Sequence, residues 1–175
     1  MSAFDQAFTA VVGSEGGYTD AATDPGNWTG GACGHGTCRG TNWGISAAAY
    51  PTLDIATLTE AQAKAIYQRD YWAPLHADAL PPPLALLVFD AGVNNGVGRA
   101  ARWLQTALGV TADGAIGPAT LAAVQAQSGQ GAALCAEFQA QRLTYMAALP
   151  TWRTFGLGWA RRLCRLPFEA MQMTS

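Results

Sequence analysis

Residues 80–96, LPPPLALLVFDAGVNNG, constrain the fold more than any other part of the chain. Each proline fixes its own φ and lacks the N–H that would carry on a preceding helix, so the run is a stiff break. The residues after it are almost all apolar as far as Asp90 and stop at Asn94, Asn95 and Gly96. A helix that is apolar on every side has no face for water and has to be covered by other elements. It is also well short of the roughly 20 residues that span a bilayer. The rest of the sequence must therefore supply a covering.

That covering reads as helical. Phe4, Phe8, Val11 and Val12 share one helical face, with Ser2 as N-cap and Gly13 as terminator. TLTEAQAKAIYQRDYW, residues 57–72, reads as a second helix capped by Thr59 with Gln62 completing a capping box. Further helices are expected over about 98–108, 118–128 and 131–148, and over the closing GWARRLCRLPFEAM. Asp113-Gly114 gives a turn and Pro118 starts the helix after it. Residues 19–46 are instead rich in Gly, Asn, Thr and Asp, with TNWGIS as an extended piece. The expected class is mainly α with a small loop and β-hairpin region. At 175 residues, half of them hydrophobic and 13% charged, there is enough apolar side chain for one domain, or for two small ones sharing a core.

The net charge is −2, but residues 1–95 carry nine acids and three bases while residues 96–175 carry three acids and seven bases. This gives mixed potential, and the positive charge is too thin and scattered for a nucleic-acid footprint. MSAFDQAFTAVV has neither the basic n-region nor the apolar h-region of a secretory signal. Synthesis in the cytoplasm without a signal peptide is expected, with no membrane insertion. Among the cysteines, Cys33 and Cys38 enclose four residues, a length that a disulfide can pin, and free thiols are the alternative. With His35 they are one ligand short of a zinc site, so no metal is expected. Cys135 and Cys164 lie in helical settings.

GSEGGYTDAATDPGN, residues 13–27, places Glu15, Asp20 and Asp24 among small residues. It is either a solvated turn or a backbone bent to aim an acid. Glycoside hydrolysis needs a proton donor at the leaving oxygen and a second carboxylate or a held water on the other face of the sugar. A partly shielded glutamate suits the first role, because loss of water raises its pKa. Asp20 and Asp24 are candidates for the second, Thr41 can hold a water, and Trp28, Trp43 and Trp72 can stack on sugar rings. His35 and His76 have no serine elbow near them, and no glycine-rich phosphate loop follows a strand.

EGGY, then Asp-Pro-Gly, then TNWGIS, resembles the glycoside hydrolase family 108 lysozymes, and AKAIYQRDYW is similar to the helix that follows there. VFDAGVNNGVGRAARWLQTALGVTADGAIGPATL is similar to the peptidoglycan-binding module that accompanies this catalytic part, and GLGWARRL is similar to how such chains end. The resemblance implies a lysozyme-like helical globule in which residues 1–88 form the catalytic part and residues 89–175 the binding module, fused together. It implies a muramidase cleaving the β-1,4 bond between N-acetylmuramic acid and N-acetylglucosamine. Glu15 matches the catalytic glutamate, Asp24 a loop aspartate nine residues on, and Thr41 a third member. Tyr18, Asp20, Asn42, Trp43, Tyr71, Asp90 and Asn94 become candidates for substrate binding, with Asp90 and Asn94 one helical turn apart and able to face one groove. The segment ACGHGTCR is an insertion against the family pattern. The implied partner is the glycan strand of peptidoglycan, reached after release through a holin or by another route, as in a phage endolysin. A monomer without cofactor is expected. Two alternatives keep the same residues: a wall-binding or secretion-assisting protein with little turnover, and a lytic transglycosylase.

Overall fold

The computed structural model describes residues 1–13 and 17–173. Glu15, with its neighbours Ser14 and Gly16, lies outside the described residues. The chain divides into two compact units, one formed by residues 1–10 with 68–175 and the other by residues 11–67. The first turns of the chain thus group with the helices that follow residue 68.

In the first unit the apolar run forms α3, Pro82–Asn95, with every side chain from Leu84 to Gly92 buried. It is covered by α4 (Val97–Leu108), α6 (Gly131–Ala147) and α7 (Trp152–Ala170), as an all-round apolar helix requires. The N-terminal helix α1, Ala3–Val12, contributes Phe4 and Phe8 to this unit. The Phe4 ring meets Trp72 edge-on at 5.4 Å and Phe89 at 6.1 Å, and Trp72 meets Phe89 at 5.4 Å. These edge-to-face contacts suit the charge distribution of the rings and add to their burial. Ser2 caps α1 as expected, with the Asp5 N–H donating to Ser2 Oγ at 3.1 Å and the Ser2 N–H to Asp5 Oδ2 at 3.2 Å.

Between α4 and α5, Pro118–Ala126, the turn at Asp113-Gly114 is organised by one buried amide. Gln105 Nε2 donates to Asp113 Oδ1 at 2.7 Å and to the Ala115 carbonyl at 3.0 Å, while Gln105 Oε1 accepts from the Gly114 N–H at 2.9 Å. The Ala115 N–H and then the Gln105 amide hold the Asp113 carboxyl below its ordinary range. A lowered folded pKa stabilises the protein above the unfolded value, and that contribution is lost as pH falls through the folded one. Asp113→Asn should therefore lower the melting temperature near neutrality and flatten the acid limb of its pH profile, the gap from the parent closing as pH falls below about 4.

The second unit holds a two-stranded antiparallel sheet, β1 (Thr41–Asn42) and β2 (Ile45–Ser46), paired Thr41 to Ser46 and Asn42 to Ile45. Trp43 and Gly44 connect the strands with φ of 52° and 71°. Two successive positive φ values make the turn that matches the twist of a tight hairpin. A Cβ on Gly44 would stand 2.6 Å from the Tyr67 hydroxyl, which donates to the Trp43 carbonyl at 3.1 Å. Gly44→Ala is thus expected to cost about 1–2 kcal/mol, read as a lower melting temperature. Helix α2, Glu60–Tyr67, carries the expected capping box, with the Thr59 N–H on Gln62 Oε1 at 2.9 Å. The periodicity predicts a helix as far as Trp72, whereas residues Gln68–Trp72 form a π turn. Helix α7 begins a turn and a half earlier than GWARRLCRLPFEAM suggested and accommodates Pro167 near its end.

Candidate active site

The loop after Glu15 is held by main-chain bonds before any side chain contributes. The Thr19 N–H donates to the Thr41 carbonyl at 2.9 Å and the Thr41 N–H returns to the Thr19 carbonyl at 2.8 Å. Thr41 thus sits between Thr19 and Ser46 in a small antiparallel array. Tyr18 lies across this array, its ring so close to Gly40 that a Cβ there would stand 2.5 Å from a ring carbon, at φ +81°. Only glycine fits that approach. Tyr18 remains 45% exposed, and its phenol is held above its ordinary range, first by lost hydration and then by the negative charge of Asp20, with smaller contributions from Cys38 and Asp54.

Asp24 caps the short turn Pro25–Asn27, its Oδ1 accepting the Gly26 N–H at 2.9 Å. The side chain is exposed, and among the described residues its other oxygen has no hydrogen-bond partner. Asn27, which sequence reading did not single out, is the centre of the region. It is fully buried, donates Nδ2 to the Ala21 carbonyl at 3.0 Å, and accepts Thr41 Oγ1 on Oδ1 at 2.7 Å. Its main-chain carbonyl takes the N–H groups of Arg39 at 2.8 Å and Gly40 at 3.1 Å. The signal was present in the sequence, as an asparagine just after Asp-Pro-Gly, but only burial shows what it ties together. Because Asn27 Oδ1 can only accept, the Thr41 hydroxyl must donate to it. The lone pairs of Thr41 Oγ1 are then left as hydrogen-bond acceptors.

Other candidates have structural duties. Asn42, a candidate sugar contact by sequence, is buried and donates Nδ2 to the carbonyls of Ile55 at 3.2 Å and Leu58 at 3.3 Å. It ties the hairpin to the segment before α2. Trp43 is half-buried, donates Nε1 to the Leu58 carbonyl at 3.2 Å, and holds a positive φ unusual for so bulky a residue. Trp28 donates Nε1 to the Ala22 carbonyl at 2.9 Å. Trp72 cannot stack on a sugar, being fully buried with Nε1 on Asp78 Oδ1 at 2.8 Å. Asp20 is exposed.

Of the two alternatives for Cys33 and Cys38, the structure has free thiols and no bridge between them. The insertion is a hairpin with Trp28 opposite Cys38, the Thr29 N–H on the Thr37 carbonyl and the Gly30 N–H on the His35 carbonyl. This register puts Cys38 at the base and Cys33 at the tip, so they are not cross-strand neighbours. Cys38 Sγ instead donates to the Asp20 carbonyl at 3.4 Å. Among the described residues no cluster of His, Cys, Asp and Glu suited to a metal occurs.

In the other unit the structure corrects the role of Asp90. It is wholly buried, with Arg142 Nη1 on Oδ2 at 2.5 Å and Arg162 Nε on Oδ1 at 2.8 Å, a second Arg162 nitrogen also reaching Oδ1. Asn94 Nδ2 donates to the Asp90 carbonyl at 2.8 Å and to its Oδ1 at 3.1 Å, and Asn95 Oδ1 accepts Arg142 Nε at 2.9 Å. Burial pulls the Arg142 guanidinium below its ordinary range, and the Asp90 carboxylate opposes that shift. Asp90 is thus the anion of a buried ion-pair network, without a surface to offer a sugar. Asn94 is exposed and also borders a cavity of about 90 Å³ with Asn95 and Trp159. Tyr71 is half-buried in the π turn.

Residues 8–96 match the family described as Glycosyl hydrolase 108, and residues 99–164 match one described as Predicted Peptidoglycan domain. Among solved structures the chain is similar to that of Brucella abortus SagA. The two are 32% identical, with a TM-score of 0.78 over 96% of this chain and 93% of that one. No curated protein matches the chain.

Proposed function

From the chain's membership of the glycosyl hydrolase 108 family, which makes it a glycoside hydrolase acting on peptidoglycan, we propose that it is a muramidase with Glu15 as its general acid. The bond cleaved is the β-1,4 link from N-acetylmuramic acid to N-acetylglucosamine. The observation that carries this reading is the Asn27–Thr41 hydrogen bond within the Thr19–Thr41 array, whose Thr19 follows Glu15 closely in sequence. It leaves a hydroxyl oxygen oriented to hold water, and Asp24 keeps one carboxylate oxygen uncommitted among the described residues. In this reading Glu15 protonates the leaving oxygen. Asp24 takes the proton of the attacking water, or faces the positive charge that develops on the ring, while Thr41 orients the water. Tyr18, Asp20 and Trp43 contact glycan in the unit that holds Thr41, and Tyr71 and Asn94 are separate wall contacts of the other unit.

The protein works at the wall as a monomer and reaches it by release through a holin or a comparable route. Among the described residues no helix is long and apolar enough to cross a membrane. Mass spectrometry of the muropeptides released from purified peptidoglycan tests the bond. Reducing N-acetylmuramic acid ends are expected. Anhydro ends would make the protein a lytic transglycosylase, and the absence of released fragments at saturating binding would make it a wall-binding protein.

A further inference from the structure

The outward face of α7 takes no part in the chemistry above. Its buried side is made by Gly156, Leu163, Leu166 and Ala170. At the helical repeat, Arg153, Leu157, Arg161, Cys164, Phe168 and Met171 fall in one stripe on the opposite side. Leu157, Phe168 and Met171 are 69%, 65% and 66% exposed. Helix α7 carries four arginines and one glutamate. Of these, Arg153, Arg161 and Arg165 are exposed, whereas Arg162 turns inward to Asp90. Met171 also lines an apolar groove of about 460 Å³ whose walls include Pro83, Leu84, Leu87, Val124 and Leu134.

Large apolar side chains interleaved with cations select among partners. A second copy of this face would set arginine against arginine, which disfavours self-association. A hydrophilic glycan would meet the arginines but leave Leu157, Phe168 and Met171 with nothing to bury against. The surface of an anionic phospholipid bilayer satisfies both, with phosphates for the guanidinium groups and an acyl boundary for the apolar side chains. The groove at Met171 adds apolar space of the kind an acyl chain fills. We propose that α7 docks this protein on anionic phospholipid surfaces, lying on the bilayer without crossing it.

The test uses the full chain and needs no wall lysis, so it stands apart from the muramidase reading. Sedimentation with vesicles of phosphatidylglycerol and phosphatidylcholine in equal parts is expected to exceed that with phosphatidylcholine alone by about tenfold, and to fall as salt is raised. The double variants Leu157→Ser/Phe168→Ser and Arg153→Glu/Arg161→Glu change exposed positions and should melt like the parent protein. Each should lose roughly tenfold in partitioning. Maleimide labelling read by mass spectrometry gives an internal control. Cys164, on the stripe, should be protected by the anionic vesicles, and the exposed Cys33 of the other unit should not. Equal binding to both vesicle types, or equal protection of Cys164 and Cys33, would overturn the proposal. So would a dimer in light scattering that Leu157→Ser/Phe168→Ser dissolves, because the occupant would then be a second copy.

Discussion

Glu15→Gln is expected to reduce lysis of purified peptidoglycan by about 10²–10⁴-fold at an unchanged melting temperature. The amide has nearly the size of the acid, so packing is retained, but it has no proton to give the leaving oxygen. Turbidity loss measures the rate, and lysis within about threefold of the parent would remove Glu15 from the mechanism. The same assay ranks the aspartates. Asn accepts as an N-cap about as well as Asp, so Asp24→Asn preserves the Pro25–Asn27 turn and removes only the charge. A clear loss of rate at unchanged stability is therefore due to the carboxylate. If Asp20→Asn is the more damaging, Asp20 is the second catalytic group.

Asp90→Asn should have the largest effect on stability, a loss of about 3–5 kcal/mol, because it leaves the buried Arg142 guanidinium without its counter-charge. For a chain of this size that is a fall of roughly 6–20 °C in melting temperature. Removing both buried charges with Asp90→Leu and Arg142→Met should be milder than Asp90→Asn alone. No guanidinium is then stranded in the core, and Arg162 is exposed enough to reach water. If single and double variants melt alike, the ion pair is not the source of the effect. Affinity of folded Asp90→Asn for peptidoglycan should be unchanged, in contrast to the sugar-binding role that its sequence context suggested.

Much of the helical scaffold was legible in the sequence because its signals are local. The capping residues Ser2 and Thr59, the punctuation at Pro82, Gly96 and Pro118, and the unbroken apolar run of α3 each act within a few residues of themselves. A helix apolar on every side dictates its own burial, so the covering of α3 was determined before its covering helices were known. The family followed from local motifs too, since EGGY, Asp-Pro-Gly and TNWGIS are contiguous words.

What only the tertiary structure decided was the job of each polar side chain in those words. Asp90 and Asn94 look like neighbours on a groove until Arg142 and Arg162, 52 and 72 positions later, arrive to pair with Asp90. Asn42 looks like a sugar contact until the carbonyls of Ile55 and Leu58 take its amide N–H groups. Cys33 and Cys38 are spaced for a bridge, but the register of the hairpin keeps them apart. Asn27 looks like an ordinary turn residue until burial shows it fixing Thr41. The physical reason is common to all four. A hydrogen bond or ion pair in the interior is chosen by which distant groups burial brings within about 3 Å, and neither periodicity nor spacing along the chain carries that information.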